Sequence, residues 1–437
     1  MIRLPPDLPD RFLAANEIHA RPYDPLDVPV RASYLAIQVE PGERERERAH
    51  LRTLCDRHGC PPPGEDLNHF SVPFGAFRLK WERHGEFSTY IVLVPGTPAH
   101  PFAEPAIEFL PPDWLAAIPG RVVVATHAQV QAAPENAADP AALAAWFGDT
   151  PVIGAEIGDG AGYAFTDFKV QHDGFVRLLM YDQSLTPFQA GRMLQRLFEI
   201  ESYRVLALLA LPIARRESPR VVEIERALAS LTEQMTHEER SDETLLGELT
   251  SLAAEVERTL GASSFRFGAS SAYHDLVQAR ISELRERRIP GLQTIDEFMA
   301  RRLSPAMATC VSLSRRLQEL SERVARASAL LSTRVSIARE RQNQALLGSM
   351  DRRARLQLRL QQTVEGLSVV AISYYVVGLI NYLTKGVRAA GAPIDPDLMT
   401  GLAIPVVAFA VALTVRWVRR KVIGTAQDRM PPIGLGD

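Results

Sequence analysis

The chain has 437 residues and a formal charge of −3 at pH 7, from 49 Lys and Arg against 52 Asp and Glu. That length predicts two or three domains, and the near-neutral balance gives no whole-chain reason to expect nucleic acid as a partner. Three cysteines, Cys55, Cys60 and Cys310, are too few for a disulfide framework and fit a reducing cytosol.

The N-terminus lacks a basic start followed by an apolar run, so no signal peptide is expected. Residues 1–29 form a Pro-rich segment with Pro5, Pro6, Pro9, Pro22, Pro25 and Pro29, which predicts extended, irregular chain. Inside it, Asn16 to Pro22 (NEIHARP) reads either as a functional loop or as a helix end whose side chains cap the backbone. From Val30 the pattern is mixed. Strands are predicted over 30–39, 74–81, 87–94, 121–130, 152–157, 162–170 and 175–181, and helices over 42–58 and 141–147. Arg83-His84-Gly85 and Asp173-Gly174 mark hairpin turns. Thr186-Pro187 opens a helix to about Leu211, with Thr at the N-cap and Pro at N1. Residues 30–212 therefore read as one cytoplasmic α+β or α/β domain, large enough to bury its own core.

After Pro212 the strand signals stop. Residues 213–303 read as a helical region: a helix from Pro219 to about Leu260 with a break near 237–241, a small-residue interruption from Ser263 to Ser271, a helix from Ala272 to Arg288, and a short one from Pro290. Ser304-Pro305 reads as another N-cap and N1 pair. It opens a long stalk helix over 304–365 that continues into the apolar sequence beyond. Cys310, Leu313, Leu317, Leu320, Val324, Ala327 and Leu331 repeat in steps of three and four, the spacing of a coiled-coil seam. Past Leu331 the seam weakens through Val335, Ala338, Leu346 and Met350. Such a seam needs a partner: the preceding helices folded back, copies of the chain, or both.

Two charge-free apolar runs follow, 366–383 and 398–415. Each spans roughly 27 Å as helix, close to the hydrocarbon thickness of a bilayer. Together with the outer connector 384–397 they predict a C-terminal transmembrane hairpin. Arg352, Arg353, Arg355 and Arg359 precede the first span. Arg416, Arg419, Arg420 and Lys421 follow the second, in a basic tail over 416–437, whereas the connector carries Lys385 and Arg388 offset by Asp395 and Asp397. The positive-inside rule then places both termini in the cytoplasm, with anionic lipid beside the basic runs. The expected partners are the lipid bilayer and further copies of the chain, through the stalk and first span. Leu367, Ala371, Tyr374, Gly378, Asn381 and Lys385 share one helical stripe, and polar groups in a span are costly unless they face protein or water. Tyr374, Gly378, Asn381 and Lys385 are therefore candidates for a helix interface or a pore lining. The second span carries Pro405, a predicted kink.

The rest of the chain offers no catalytic set. There is no P-loop, HExxH or GxSxG, and Gly154, Gly158, Gly160 and Gly162 lie between two strands rather than at a strand-to-helix turn. Asp66, Asp167 and Asp182 are isolated carboxylates. Cys55, His58, Cys60 and His69 are zinc-ligand types at a spacing that zinc sites do not commonly use, so buried cysteines and surface histidines are the simpler expectation. Glu199, Glu201 and Arg204 sit late in the 186–211 helix, as a buried interdomain contact or a ligand site, with Glu201 and Arg204 spaced to pair.

Three stretches carry a resemblance: NEIHARP at 16–22, GRMLQRLFEIESYRVLALLALP at 191–212, and LQQTVEGLSVVAISYYVVGLINYLTKG at 360–386. Through them almost the whole chain resembles a bacterial membrane-anchored family known as domain of unknown function 3422. By architecture the chain also resembles CorA-type magnesium transporters. That resemblance implies a pentamer with first spans around a pore, a bacterial inner-membrane location and a divalent cation as the bound species. Where that family has Gly-Met-Asn, this chain has Gly378-Leu379-Ile380-Asn381, with Lys385 just beyond, and a ring of lysines would oppose cation entry. The expectation is a CorA-like oligomeric ion channel, transporter or regulator. The alternatives are a non-conducting membrane-anchored scaffold and, third, an anchored enzyme.

Overall fold

A computed structural model describes the chain apart from residues 1–4, 6, 13–14, 16–22, 65–66, 101, 149, 238–239, 392, 394 and 428–437. The Asn16–Pro22 motif and Asp66 thus lie outside the described residues. The chain divides into two compact units, Met1–Leu331 and Ser332–Asp437.

In the first unit the described strands form one mixed sheet: β1 (Val30–Gln38), β2 (His69–Pro73), β3 (Arg78–Arg83), β4 (Phe87–Pro95), β5 (Arg121–Ala132), β6 (Ile153–Ile157), β7 (Gly162–Thr166), β8 (Val176–Asp182) and β9 (Arg287–Arg288). Their order is β2-β3-β4-β1-β5-β8-β7-β6-β9. The β5–β8 pair is parallel and the others antiparallel. Side chains alternate across a strand, so β1 feeds two cores. Ala32, Tyr34 and Ala36 join one, and Leu35 and Ile37 the other. The second core is closed by α1 (Arg44–His58) and α2 (Pro112–Ala116) through Leu51, Leu54, Cys55 and Trp114. There the fully buried Glu47 accepts hydrogen bonds from Trp81 Nε1, Tyr90 OH and Arg83 Nη2, each at 3.0 Å. A buried carboxylate with three donors is satisfied, which keeps this charge affordable in the core. The helix α3 (Pro140–Phe147) packs a small third core against β7 and β8.

The first core runs from the sheet into helices. It includes α4 (Pro187–Leu208), α5 (Ala210–Gln234), α6 (Asp242–Leu284) and the early part of α7 (Ile295–Ala389). The α7 seam residues Leu303, Met307, Cys310, Leu313, Leu317, Leu320, Val324, Ala327 and Leu331 are all buried in one cluster with Val221, Ile224 and Leu228 of α5 and Leu245, Leu249 and Val256 of α6. Polar ties repeat the pairing: Arg316 grips Glu225 at 2.6 and 3.0 Å. Preceding helices of the same chain therefore fill the seam as far as Leu331.

Several expected boundaries move. Residues 69–73 form a strand that the alternation signal missed, and the predicted 74–81 strand begins at Arg78. Pro219 lies inside α5 rather than opening a helix. Ser263–Ser271 does not interrupt α6: Ser263 Oγ donates to Thr259 O at 2.7 Å within its own helix, and Ser270 Oγ donates to Ala207 O of α4 at 2.7 Å. The small residues permit close packing instead of breaking the helix. Residues from Pro290 form a turn, not a short helix. The Ser304-Pro305 pair falls within α7, because a stronger cap lies upstream. Thr294 and Glu297 form a reciprocal capping box, and the Glu286 carboxylate takes the Ile295 and Asp296 amides at 3.0 Å each. Burial raises the Glu286 pKa, while those two amides favour its charged form.

In the second unit the apolar part of α7 is followed by α8 (Pro396–Gln427). Both helices are long and apolar enough to cross a membrane, with windows of mean hydropathy 1.7 and 2.3. Only 0% and 6% of those windows is buried, unlike the core helix of a soluble protein. Along α8, Pro396, Thr400, Ala403, Val407, Ala408, Val411, Ala412 and Val415 are the less exposed positions. The predicted Pro405 kink site lies inside this helix.

Candidate functional site: a buried polar layer beneath the motif helix

The stretch 191–212 builds α4 and the start of α5. Thr186 and Gln189 cap its entry reciprocally, and Pro187 needs no amide partner in the first turn. Gly191 is required by a close approach: a Cβ there would lie 2.0 Å from Asp24 O. The chain at 24–26 crosses α4 at this point, and Leu26 N donates to Pro187 O at 3.0 Å. Leu194, Leu197, Phe198 and Leu206 bury the apolar face against the sheet.

Between that face and β3 lies a chain of charges. Lys80 and Glu82, only 2% and 3% exposed, pair at 3.1 Å. Lys80 Nζ donates to Gln195 Oε1 at 2.9 Å, and Gln195 Nε2 donates to Glu199 Oε1 at 3.0 Å. Glu199 is ion-paired with Arg280 of α6, Arg280 reaches Glu283 at 2.9 Å, and Arg196 Nε meets Glu283 at 2.8 Å. Three carboxylates thus alternate with three cations from β3 through α4 to the end of α6. Burying such ions is costly unless every partner is present, so the layer fixes the register of α4 on the sheet rather than adding large net stability. Beside it, Tyr34 OH meets Ser202 Oγ at 2.6 Å, and its ring stacks on Phe198 at 4.6 Å. Burial pushes the Tyr34 hydroxyl well above the usual phenol range. Two small voids of about 10 and 20 Å³ flank Gln195, each the size of about one water.

The hairpin tip joins the same assembly. Glu86 pairs with Arg266 of α6 at 2.9 Å and accepts from Tyr273 OH at 3.2 Å. Burial and the adjacent Glu86 push Tyr273 up to about 12. Glu201 and Arg204 pair along the helix, as their spacing implies. Arg204 also lies 5.2 Å over the Phe168 ring, which stacks at 5.2 Å on Phe298 of α7. The interdomain candidates Glu199, Glu201 and Arg204 therefore sit at contacts between helices and sheet. Lys80, Glu82, Gln195 and Arg280 were not singled out by sequence reasoning. The available signal was a charge pair two residues apart, alternating with Leu79 and Trp81 in the RLKWER strand.

The remaining candidates do not converge. Cys55 is buried in the second core, where burial raises its thiol to about 11. Cys60 Sγ donates to His58 O at 3.7 Å, and His58 packs edge-on to Phe74 and Phe77. His69 is on β2. Among the described residues no three of His, Cys, Asp and Glu gather as metal ligands. Asp167 organises a turn by accepting from Lys169 N at 3.0 Å and Gln171 Nε2 at 2.8 Å, and Asp182 accepts from Leu185 N at 2.8 Å. On the opposite sheet face Ser33 Oγ meets His127 Nδ1 at 2.8 Å and accepts from Ile107 N at 2.9 Å. His127 stacks on Phe175 at 3.8 Å, and burial plus nearby Arg177 lowers its pKa to about 3. Ser33 is fully buried, so this pair is a packed structural link.

In the second unit the stripe divides. Tyr374 is 78% exposed, and a Cβ on Gly378 would meet nothing within 4 Å. Lys385 is exposed. Asn381 instead faces α8, where its Oδ1 lies 3.5 Å from Thr400 Oγ1, whose hydroxyl donates to Pro396 O at 2.7 Å.

Sheet, helical bundle and two apolar helices define a chain with a folded head and a segment suited to a membrane. It belongs to the family described as "Protein of unknown function (DUF3422)", whose model matches residues 6–422. No curated protein and no solved structure matches it, and neither comparison supports the CorA-type resemblance.

Proposed function

We propose that this is a membrane-anchored, self-associating scaffold that displays its α/β and bundle unit on the cytoplasmic face of the bacterial inner membrane. The observation that carries this reading is the uncovered apolar sector of α7 beyond the bundle. Leu346, Leu347, Met350, Leu356, Leu358, Leu360 and Val364 are all more than half exposed; at 100° per residue Leu346, Met350, Leu360 and Val364 fall in one sector of about 80°, and Leu347, Leu356 and Leu358 widen the apolar side to about 200°. Arg341, Arg352, Arg355 and Arg359 occupy a separate sector of about 60° on the opposite side. Gln357 lies among the apolar positions, and Arg339 and Arg353 interrupt them with long stems that can reach past neighbours. An amphipathic helix of this kind buries its apolar face against another helix. Copies anchored in one bilayer share a topology, so the pairing is parallel and the arginine ridges point outward. The arginines before α7's apolar window support cytoplasmic termini through the positive-inside rule.

Scaffolding is favoured over conduction because Asn381 faces α8 within the hairpin and Lys385 would oppose cations at a pore mouth. Conduction keeps one specific support: Tyr374 is 78% exposed, and a Cβ on Gly378 would meet nothing within 4 Å. Flux of magnesium, cobalt and chloride into proteoliposomes tests the choice. The scaffold reading expects no flux above protein-free vesicles, and no gain from Lys385→Asp. Flux that Asn381→Leu or Lys385→Asp changes would establish the conducting reading.

A further inference from the structure

Building on the self-associating reading above, we infer that a second copy of the chain covers one face of α7 inside the bilayer, the face of Ala371, Tyr375, Gly378 and Tyr382. The two sides of this part of α7 differ. Val369, Ser373, Val377, Ile380 and Thr384 are partly covered, and at 100° per residue they occupy one sector of about 80°. Asn381 lies at its border, 3.5 Å from Thr400, so this is the side toward α8. On the opposite side Leu360, Val364, Ala371, Tyr375, Gly378 and Tyr382 occupy one sector of about 60°. No charged residue between 360 and 382 falls in it. Leu360 and Val364 already belong to the uncovered sector of the stalk, so that sector passes into the span without a break and emerges directly away from α8.

The chemistry of this face argues for protein rather than lipid as its cover. Tyr374 and Tyr375 are exposed and stand halfway along the apolar run 366–383. Each is about 13 Å from either end of the run at 1.5 Å per residue, too far for a phenol to carry its hydroxyl to water. Hydrocarbon offers that hydroxyl no acceptor, and polar groups in a span ordinarily face protein. Their own α8 is on the other side. A Cβ on Gly378 would meet nothing within 4 Å, and Ala371 lies two turns before it, so a second helix can come close there. Copies inserted with one topology meet as parallel helices, which sets each Tyr375 beside the small residues of its counterpart. Asn381 thus serves the hairpin, and the tyrosine side serves the second copy.

The test is disulfide cross-linking in native membranes. Single cysteines are introduced into the full-length Cys60→Ser chain, whose remaining Cys55 and Cys310 are buried. Ala371→Cys and Gly378→Cys report the inferred face, Val369→Cys and Val377→Cys the α8 side, and Leu360→Cys the stalk. A disulfide needs Cα atoms within about 7 Å, so under copper–phenanthroline only positions that face each other join two chains. Ala371→Cys and Gly378→Cys should double the chain mass on a non-reducing gel, and Val369→Cys and Val377→Cys should not. Doubling at Leu360→Cys without doubling at either inferred position overturns the inference and leaves the scaffold reading standing. Doubling at the inferred positions without Leu360→Cys upholds the inference and removes the stalk sector from that reading. No doubling anywhere, equal doubling on both sides of the span, or a product of another mass overturns the inference. Ala371→Cys, a small change of volume, gives the same readout should Gly378→Cys fail to accumulate.

Discussion

One helix, α7, meets two environments. Over Leu303–Leu331 its seam is buried against α5 and α6, and Arg316 has a partner in Glu225. Over 336–364 its leucines are exposed and its arginines form a ridge. The second stretch is less apolar, with 11 of 29 positions against 15 of 29 over 303–331, yet it still carries large leucines. What differs further is that helices of the same chain cover the first seam. Apolar periodicity therefore marks a surface to be covered without saying by what.

The sharpest way to break this contrast is through charge. Lys80→Met leaves Glu82 buried beside an unmatched neighbour and should cost about 3–5 kcal/mol, whereas Arg352→Met on the exposed ridge should change unfolding by at most about 0.5 kcal/mol. Chemical denaturation of the full-length protein reads both. The double change Lys80→Met/Glu82→Leu should recover much of the loss; if it does not, the pair does more than set register. Next comes packing. Leu317→Ala, in the covered stretch, should cost about 2–5 kcal/mol. Leu346→Ala, in the uncovered one, should leave the unfolding of the head unchanged and weaken self-association. Equal effects at both positions would erase the distinction.

Acid sensitivity is a smaller effect, confined to the head. Folded His127 has a pKa of about 3, below the ordinary value of about 6.5 for the unfolded chain. Above the ordinary value both states are neutral and the group contributes nothing. As pH falls below it, the unfolded state takes up a proton that the folded state refuses. Stability therefore drops between about pH 6.5 and 3, by about 2 kcal/mol at pH 5 relative to pH 7. His127→Gln should remove that part of the acid dependence in denaturation curves measured across this range. Smallest is the partly exposed Arg316–Glu225 pair, where Arg316→Met should cost no more than about 1 kcal/mol.

Much of the architecture was legible in the sequence. Alternation located most strands, Thr186-Pro187 located the start of α4, and the steps of three and four from Cys310 to Leu331 located the seam. Local patterns report local structure, so the misses came where distant partners decide. The seam could be read, but its filling by α5 and α6 from earlier in the chain could not, since spacing within one helix carries no information about its neighbour. Lys80 and Glu82 look like a solvated strand face until α4 is laid over them. Gly191 looks like one glycine among many until Asp24 crosses it at 2.0 Å from where a Cβ would stand. Pro305 resembled a helix start because its local signal is good, and the capping box at Thr294 overrode it. The stripe from Tyr374 to Lys385 is a spacing within one helix, and it does not foretell that Asn381 faces Thr400.

The most direct test of self-association through the uncovered sector is the detergent-corrected mass of the full-length protein, wild type beside Leu346→Lys/Leu360→Lys. The account predicts a wild-type mass that is a multiple of the chain mass, and a double variant reduced to a single chain with its head still folded. A wild-type protein that is a single chain at every concentration, or a double variant with an unchanged oligomeric mass, would contradict it.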